Sequence, residues 1–183
     1  MSRFRRRLPV RGERGYSLIE MLVVLVILSV VMEALTTLFV RASNAESAMN
    51  NRFQAQEHAR VALDKLRREI HCASSATPAA TATSTITLTL PSYCKTGSGS
   101  ITWCTRSVST NRYALYRVVG ATCSGGIKWA DYLTVANAFN FTTQTTSSLA
   151  LLHVDLNVNV NPRRGVDGYE LVDDIVLRNS SRS

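Results

Sequence analysis

A carboxylate inside an apolar run is the first place where this chain could do chemistry. Glu20 sits near the head of Tyr16-Ser17-Leu18-Ile19-Glu20-Met21-Leu22-Val23-Val24-Leu25-Val26-Ile27-Leu28, and Glu33 interrupts the apolar stretch that continues to Val40. An ionised carboxylate costs about 2.5 to 3.5 kcal/mol at the centre of an apolar span and somewhat less near an end, so Glu20 calls for a cationic partner. Four cysteines, Cys72, Cys94, Cys104 and Cys123, form the second set of chemically competent groups. A zinc site would need paired ligands at short spacing, and no Cys-x-x-Cys exists here, so disulfides are the better reading. His58, His71 and His153 are scattered, with no Ser, Cys or carboxylate beside them in a catalytic spacing.

The element that must carry Glu20 is a helix. Tyr16 to Val40 is 25 residues, about 37 Å at 1.5 Å per residue, enough to span a bilayer. The charge is placed accordingly. The 183 residues carry a formal charge of +8, and residues 1–15 hold six arginines against one glutamate, leaving +3 for the other 168. That concentration excludes a general nucleic-acid footprint and predicts the basic head in the cytoplasm with the rest outside. A secretory signal would need small residues at a later cleavage point, for which Val40-Arg41-Ala42-Ser43 is poor. A buried core helix would leave the one-sided charge unexplained.

Arg14-Gly15-Tyr16-Ser17-Leu18-Ile19-Glu20-Met21-Leu22-Val23-Val24 resembles the type IV prepilin signature, a basic leader ending in Gly ahead of an apolar helix with an acid at fixed offset. The resemblance implies cleavage between Gly15 and Tyr16 by a prepilin peptidase and N-methylation of the new terminus. It also implies that Glu20 meets the terminal amine of a neighbouring subunit. An amine and a carboxylate attract strongly at low dielectric, where either alone is penalised. Tyr16 stands where Phe is commonest in the family. Glu33 is read as a carboxylate near the outer interface or facing another subunit.

No Gly or Pro occurs from Tyr16 to Thr77, so one helix is expected to run to about Ile70. Beyond Val40 it turns amphipathic, with Ala45, Met49, Phe53, Ala59, Leu63, Leu66 and Ile70 as an apolar stripe meant for a globular head. Arg41, Glu46, Arg52, Glu57, Arg60, Asp64, Lys65, Arg67 and Glu69 are expected to be solvated. Residues 73–84 read as a linker, and half-buried strands are expected at 85–90, 101–104, 113–119 and 151–160, around Phe141, and from Tyr169 to Leu177. The expected organisation is a leader at 1–15, a transmembrane half-helix at 16–40, an amphipathic half at 41–71 and a β-rich head at 72–183. The fold class is α+β, a long N-terminal helix packed against an antiparallel sheet.

Residues 60–70 and Val176-Leu177-Arg178-Asn179 resemble the larger minor pilins and the J-type pseudopilins of type II secretion. Four cysteines allow three pairings. Cys72 with Cys94, tying the helix end to the end of the first strand, and Cys104 with Cys123 is the favoured arrangement, whereas a simple hairpin of 101–107 with 113–119 would instead bring Cys94 near Cys123. Asp167, Glu170, Asp173 and Asp174 match no twelve-residue calcium loop and read as a solvated turn. No metal or cofactor is assigned, and no enzyme activity. The expected partners are prepilin peptidase, other pilin or pseudopilin subunits and the cytoplasmic membrane, with an extracytoplasmic filament as the destination. Two rival readings are a DNA-uptake pilin gripping phosphate through Arg106, Arg112, Arg117, Arg163 and Arg164, and a signal-anchored exported enzyme. The +3 head charge makes the first weak, and the second lacks a catalytic constellation.

Overall fold

The computed structural model describes residues 15–79, 81–161 and 168–179. Leader residues 1–14, together with Arg163, Arg164 and Asp167, lie outside the described residues. Helix α1 runs Leu18–Cys72 and is followed by ten strands, β1 (Ser75–Thr77), β2 (Thr85–Leu90), β3 (Gly99–Ser109), β4 (Arg112–Val119), β5 (Ile127–Leu133), β6 (Phe139–Thr142), β7 (Leu151–Asp155), β8 (Val158–Asn159), β9 (Gly168–Tyr169) and β10 (Val172–Val176). The chain divides into two compact units after Ser47.

The first unit is the apolar part of α1, whose side chains are all exposed. It is the one described helix segment long and apolar enough to cross a membrane. Val23, Val24, Val26, Ile27, Val30 and Val31 are β-branched, which disfavours a helix in water. In an apolar medium that preference is overridden, because the backbone must satisfy its own polar groups and a helix does so within one segment.

In the second unit, the remainder of α1 buries Ala55, Ala59, Ala62, Leu63, Leu66 and Ile70 in three- and four-residue steps. The expected stripe starts later than its spacing suggests: Met49 and Phe53 are 74% and 64% exposed, so packing begins at Ala55. A seven-stranded antiparallel sheet, in the order β1-β2-β3-β4-β5-β8-β9, and a three-stranded sheet, β10-β7-β6, enclose the core. Trp103, Phe139, Ile86, Leu88, Leu115, Leu152 and Leu177 are buried there with the helix residues.

Several elements differ from the sequence expectations, among them residues 169–177, expected as one strand, which contribute to β9 and β10 in different sheets. The linker at 73–84 contains β1, which pairs with β2 through Ser75 and Thr89. Residues 151–160 form two strands in different sheets, because the chain turns at Leu156-Asn157. Strand β5 is not among the expected strands, because its pairing with β4 is broken by two irregularities, between Tyr113 and Leu115 and between Leu115 and Tyr116, which spoil a clean alternation.

Candidate processing and assembly site

Gly15, Tyr16 and Ser17 precede the helix in non-helical backbone, and all three are exposed. The first helical hydrogen bond runs from Met21 N to Ser17 O at 3.2 Å, which makes Ser17 the N-cap. Ser17-Leu18-Ile19-Glu20 then has the spacing of a capping box, with Glu20 in the first turn of α1. The Ser-x-x-Glu spacing is itself a sequence signal of a helix start. A carboxylate there is favoured by the partial positive charge at the helix N-terminus, a small local compensation that leaves it free to meet an external cation. A Cβ at position 15 would meet nothing within 4 Å. The fold therefore makes no demand for glycine there, and any such demand belongs to whatever handles this segment.

Further along the apolar unit, Ser29, Thr36 and Thr37 donate their hydroxyl protons to the carbonyls of Val26, Met32 and Ala34 at 2.8, 2.7 and 2.8 Å. Back-bonding of this kind satisfies hydroxyls that no water would reach in hydrocarbon.

In the head, Glu69 overturns the expectation of a solvated helix face. It has no accessible surface. Trp103 Nε1 donates to Glu69 Oε2 at 2.7 Å, and Arg117 Nε donates to Oε1 at 2.9 Å. Lys65 Nζ adds a contact of 3.3 Å from one turn earlier. Trp103 and Arg117 face each other across β3 and β4, so both reach the helix from the same side of the sheet. The helix end is held as firmly. Asn179 Nδ2 donates to the carbonyls of His71 and Cys72 at 3.4 and 3.0 Å, and His71 Nδ1 lies 3.0 Å from Val176 O. Cys72 is bonded to Cys94 and Cys104 to Cys123.

The arginines that could grip phosphate are occupied where they are described. Arg117 is held by Glu69. Arg112 binds Asp131 through two nitrogens at 3.0 and 2.9 Å and stacks on Tyr132. Arg106 stacks on Tyr116, donates to Cys123 Sγ at 3.3 Å and bonds the Gly125 carbonyl. Burial pushes the Asp131 carboxyl up, but hydrogen bonds from Arg112 and Lys128 outweigh it and hold it below the usual carboxylate range. A cleft of about 270 Å³ is lined by His58, Lys128, Trp129 and Asp131 among others. His58 and Asp131 share that lining, but the carboxylate is spent on its two cations. Of the acids near the C-terminal end, Asp173 accepts from Arg67 at 2.8 Å and Asp174 lies 2.7 Å from His153 Nδ1. No metal-holding cluster occurs among the described residues.

The family model described as the prokaryotic N-terminal methylation motif matches residues 10–32. No curated protein and no solved structure shows significant similarity to the chain.

Proposed function

We propose that this chain, which carries a motif characteristic of type IV prepilin-like proteins, is a structural subunit of a type IV pilus or a secretion pseudopilus. A prepilin peptidase cuts between Gly15 and Tyr16 and methylates the new amine. The processed chain waits in the cytoplasmic membrane, N-terminus inward, and then enters or primes a filament. The observation that carries the reading is that the matched segment, 10–32, spans Gly15, Tyr16 and Glu20 at the start of an exposed apolar helix.

The chemistry is docking without turnover. Cleavage creates a cation on Tyr16, and Glu20 offers the anion for the amine of the next subunit, so two charges unfavourable alone become favourable as a pair. The apolar run is nearly featureless and suits a helical bundle, so identity among subunits falls to the head. We read the chain as a low-copy subunit on that ground. A DNA-gripping role is not favoured, because Arg106, Arg112 and Arg117 are engaged within the head.

N-terminal sequencing with intact mass tests the reading. A mature chain starting at methylated Tyr16 is the expected result, and a start beyond Val40 would overturn it. Quantitative mass spectrometry of purified filaments tests the copy number, and abundance equal to the principal subunit would remove the low-copy claim.

A further inference from the structure

Glu33 and Arg41 stand at the end of the apolar part of α1 that is far from Tyr16, and both are exposed. They are eight residues apart, which separates them by about 12 Å along the axis and about 80° around it. That is too far for a pair within one helix, where charged partners lie three or four residues apart. Among the described residues, no ion pair or hydrogen bond reaches either group. Arg41 is the first Lys or Arg after Tyr16, so in the processed helix it is the first side-chain cation.

A second copy, shifted along the helix, brings the two charges together. Displacing one copy by about 12 Å toward its C-terminus puts its Glu33 level with Arg41 of the other. The contact read from Glu20 asks for a shift of the same sign, because the Tyr16 amine of the displaced copy must come level with Glu20 of the other. Tyr16 lies four residues before Glu20, about 6 Å if helical and up to about 10 Å with residues 15–17 in non-helical backbone. Helical side chains lean toward the N-terminus, and Arg41, the longer of the pair, leans further, so a shift of about 10 Å serves both contacts. The faces also agree. Glu20 and Arg41 are 21 residues apart, about 60° around the cylinder and so on one side, whereas Glu33 is about 140° from Glu20. One copy offers an anion followed by a cation, and its neighbour answers with an amine followed by an anion.

We propose that the apolar helices of two copies of this chain pack side by side with a shift of about 10 Å, Arg41 of one binding Glu33 of the other. The inference rests on the reading of the chain as a filament subunit. In the membrane the two groups lie about 25 and 37 Å along the helix from Tyr16, near the outer interface of a hydrocarbon core about 30 Å thick, where water reaches them. In a bundle of helices that outlet closes, and pairing offsets the lost hydration. The two surfaces are different patches of one helix, so the contact is heterologous and can stop at two copies or continue.

The test uses the full chain in two differently tagged versions, expressed together in cells that make the filament. The quantity read is the amount in sheared filaments divided by the processed amount in the membrane. Glu33→Arg alone and Arg41→Glu alone are each expected to lower that ratio at least about tenfold. Both changes in one chain, or Glu33→Arg in one version with Arg41→Glu in the other, should restore it to within about threefold of wild type. A photo-crosslinker at Thr37, four residues from each group, should join one tagged version to the other. Where a reversed charge keeps the chain out of the membrane, Glu33→Gln, Arg41→Gln and their combination decide: a combination no worse than either single change supports the pair, and an additive loss overturns it. Wild-type ratios for both reversals, or a swap that rescues nothing, would overturn the pairing and leave Arg41 as an anchor at the interface only. Thr37 crosslinks solely to other subunits would do the same. If Glu20→Ala is lost from filaments while the reversals are not, the pairing alone fails. Absence of the wild-type chain from filaments would sink the filament reading and this proposal with it.

Discussion

Trp103 donates its indole N–H to Glu69 at 2.7 Å, and neither side chain keeps any accessible surface. Arg117, the cross-strand partner of Trp103, takes the other carboxylate oxygen at 2.9 Å. One helix residue thus fixes the lateral position of α1 against two adjacent strands, with directional bonds where apolar packing alone would permit sliding.

Glu69→Ala is expected to destabilise the head by about 3 kcal/mol, because the partly buried Arg117 loses its carboxylate and the buried indole N–H of Trp103 is left unpaired. Replacing the pair together, Glu69→Leu with Arg117→Met, should recover most of that loss. Denaturant unfolding of the detergent-solubilised chain reads both. A single substitution costing under about 0.5 kcal/mol would show that the network is not strengthening the fold.

Asp131 predicts the sign of the acid response. Its folded-state carboxyl lies below the ordinary value of 3.8, so its contribution is complete above that value and is lost as pH falls through the folded one. Asp131→Asn should flatten stability against pH in that acidic window and lower it at neutrality. Thermal melts from pH 2 to 7 check this, and an unchanged acid limb would contradict it.

For Glu20→Ala, membrane insertion should hold or improve while filament incorporation falls. Removing the carboxylate relieves the apolar span but leaves a neighbour's amine unpaired. Comparison of membrane and sheared-filament fractions separates the two effects, and incorporation at the wild-type level would remove Glu20 from assembly.

Reduction should lower the melting temperature of the head. The bridges join residues 22 and 19 positions apart, and loops of that size are worth about 3 kcal/mol each on loop-closure grounds. Peptide mapping checks the connectivity. Four alkylatable thiols on chain recovered from the outer side of the membrane would contradict the bridges.

Much of the architecture was legible because it rests on local signals. The absence of Gly and Pro up to Thr77 announced the helix, and the Thr-Ile-Thr-Leu-Thr-Leu alternation announced β2. What escaped depends on contacts distant in sequence. Glu69 looks like any charged residue on a solvated face until Trp103 and Arg117 are folded over it, 34 and 48 residues later. Met49 and Phe53 continue the apolar periodicity, yet nothing in local spacing tells where the sheet stops covering the helix. At the processing end, the fixed offset from Gly15 to Glu20 is contiguous in the chain, so that candidate site could be read directly.

The bridge from Cys72 to Cys94 has a mechanical consequence. It ties the last residue of α1 to the segment just after β2. Tension arriving along the helix would pass through that covalent link and bypass residues 73–93, so β1 and β2 lie outside the load path. The second bridge, Cys104 to Cys123, does the same for residues 105–122, so β4 and the rest of β3 are also outside the path, and of β3 only Gly99 to Trp103 leads the load to Cys104. Reduced protein should lose both bypasses, and in single-molecule stretching it should yield at lower force with β1 and β2 peeling away first.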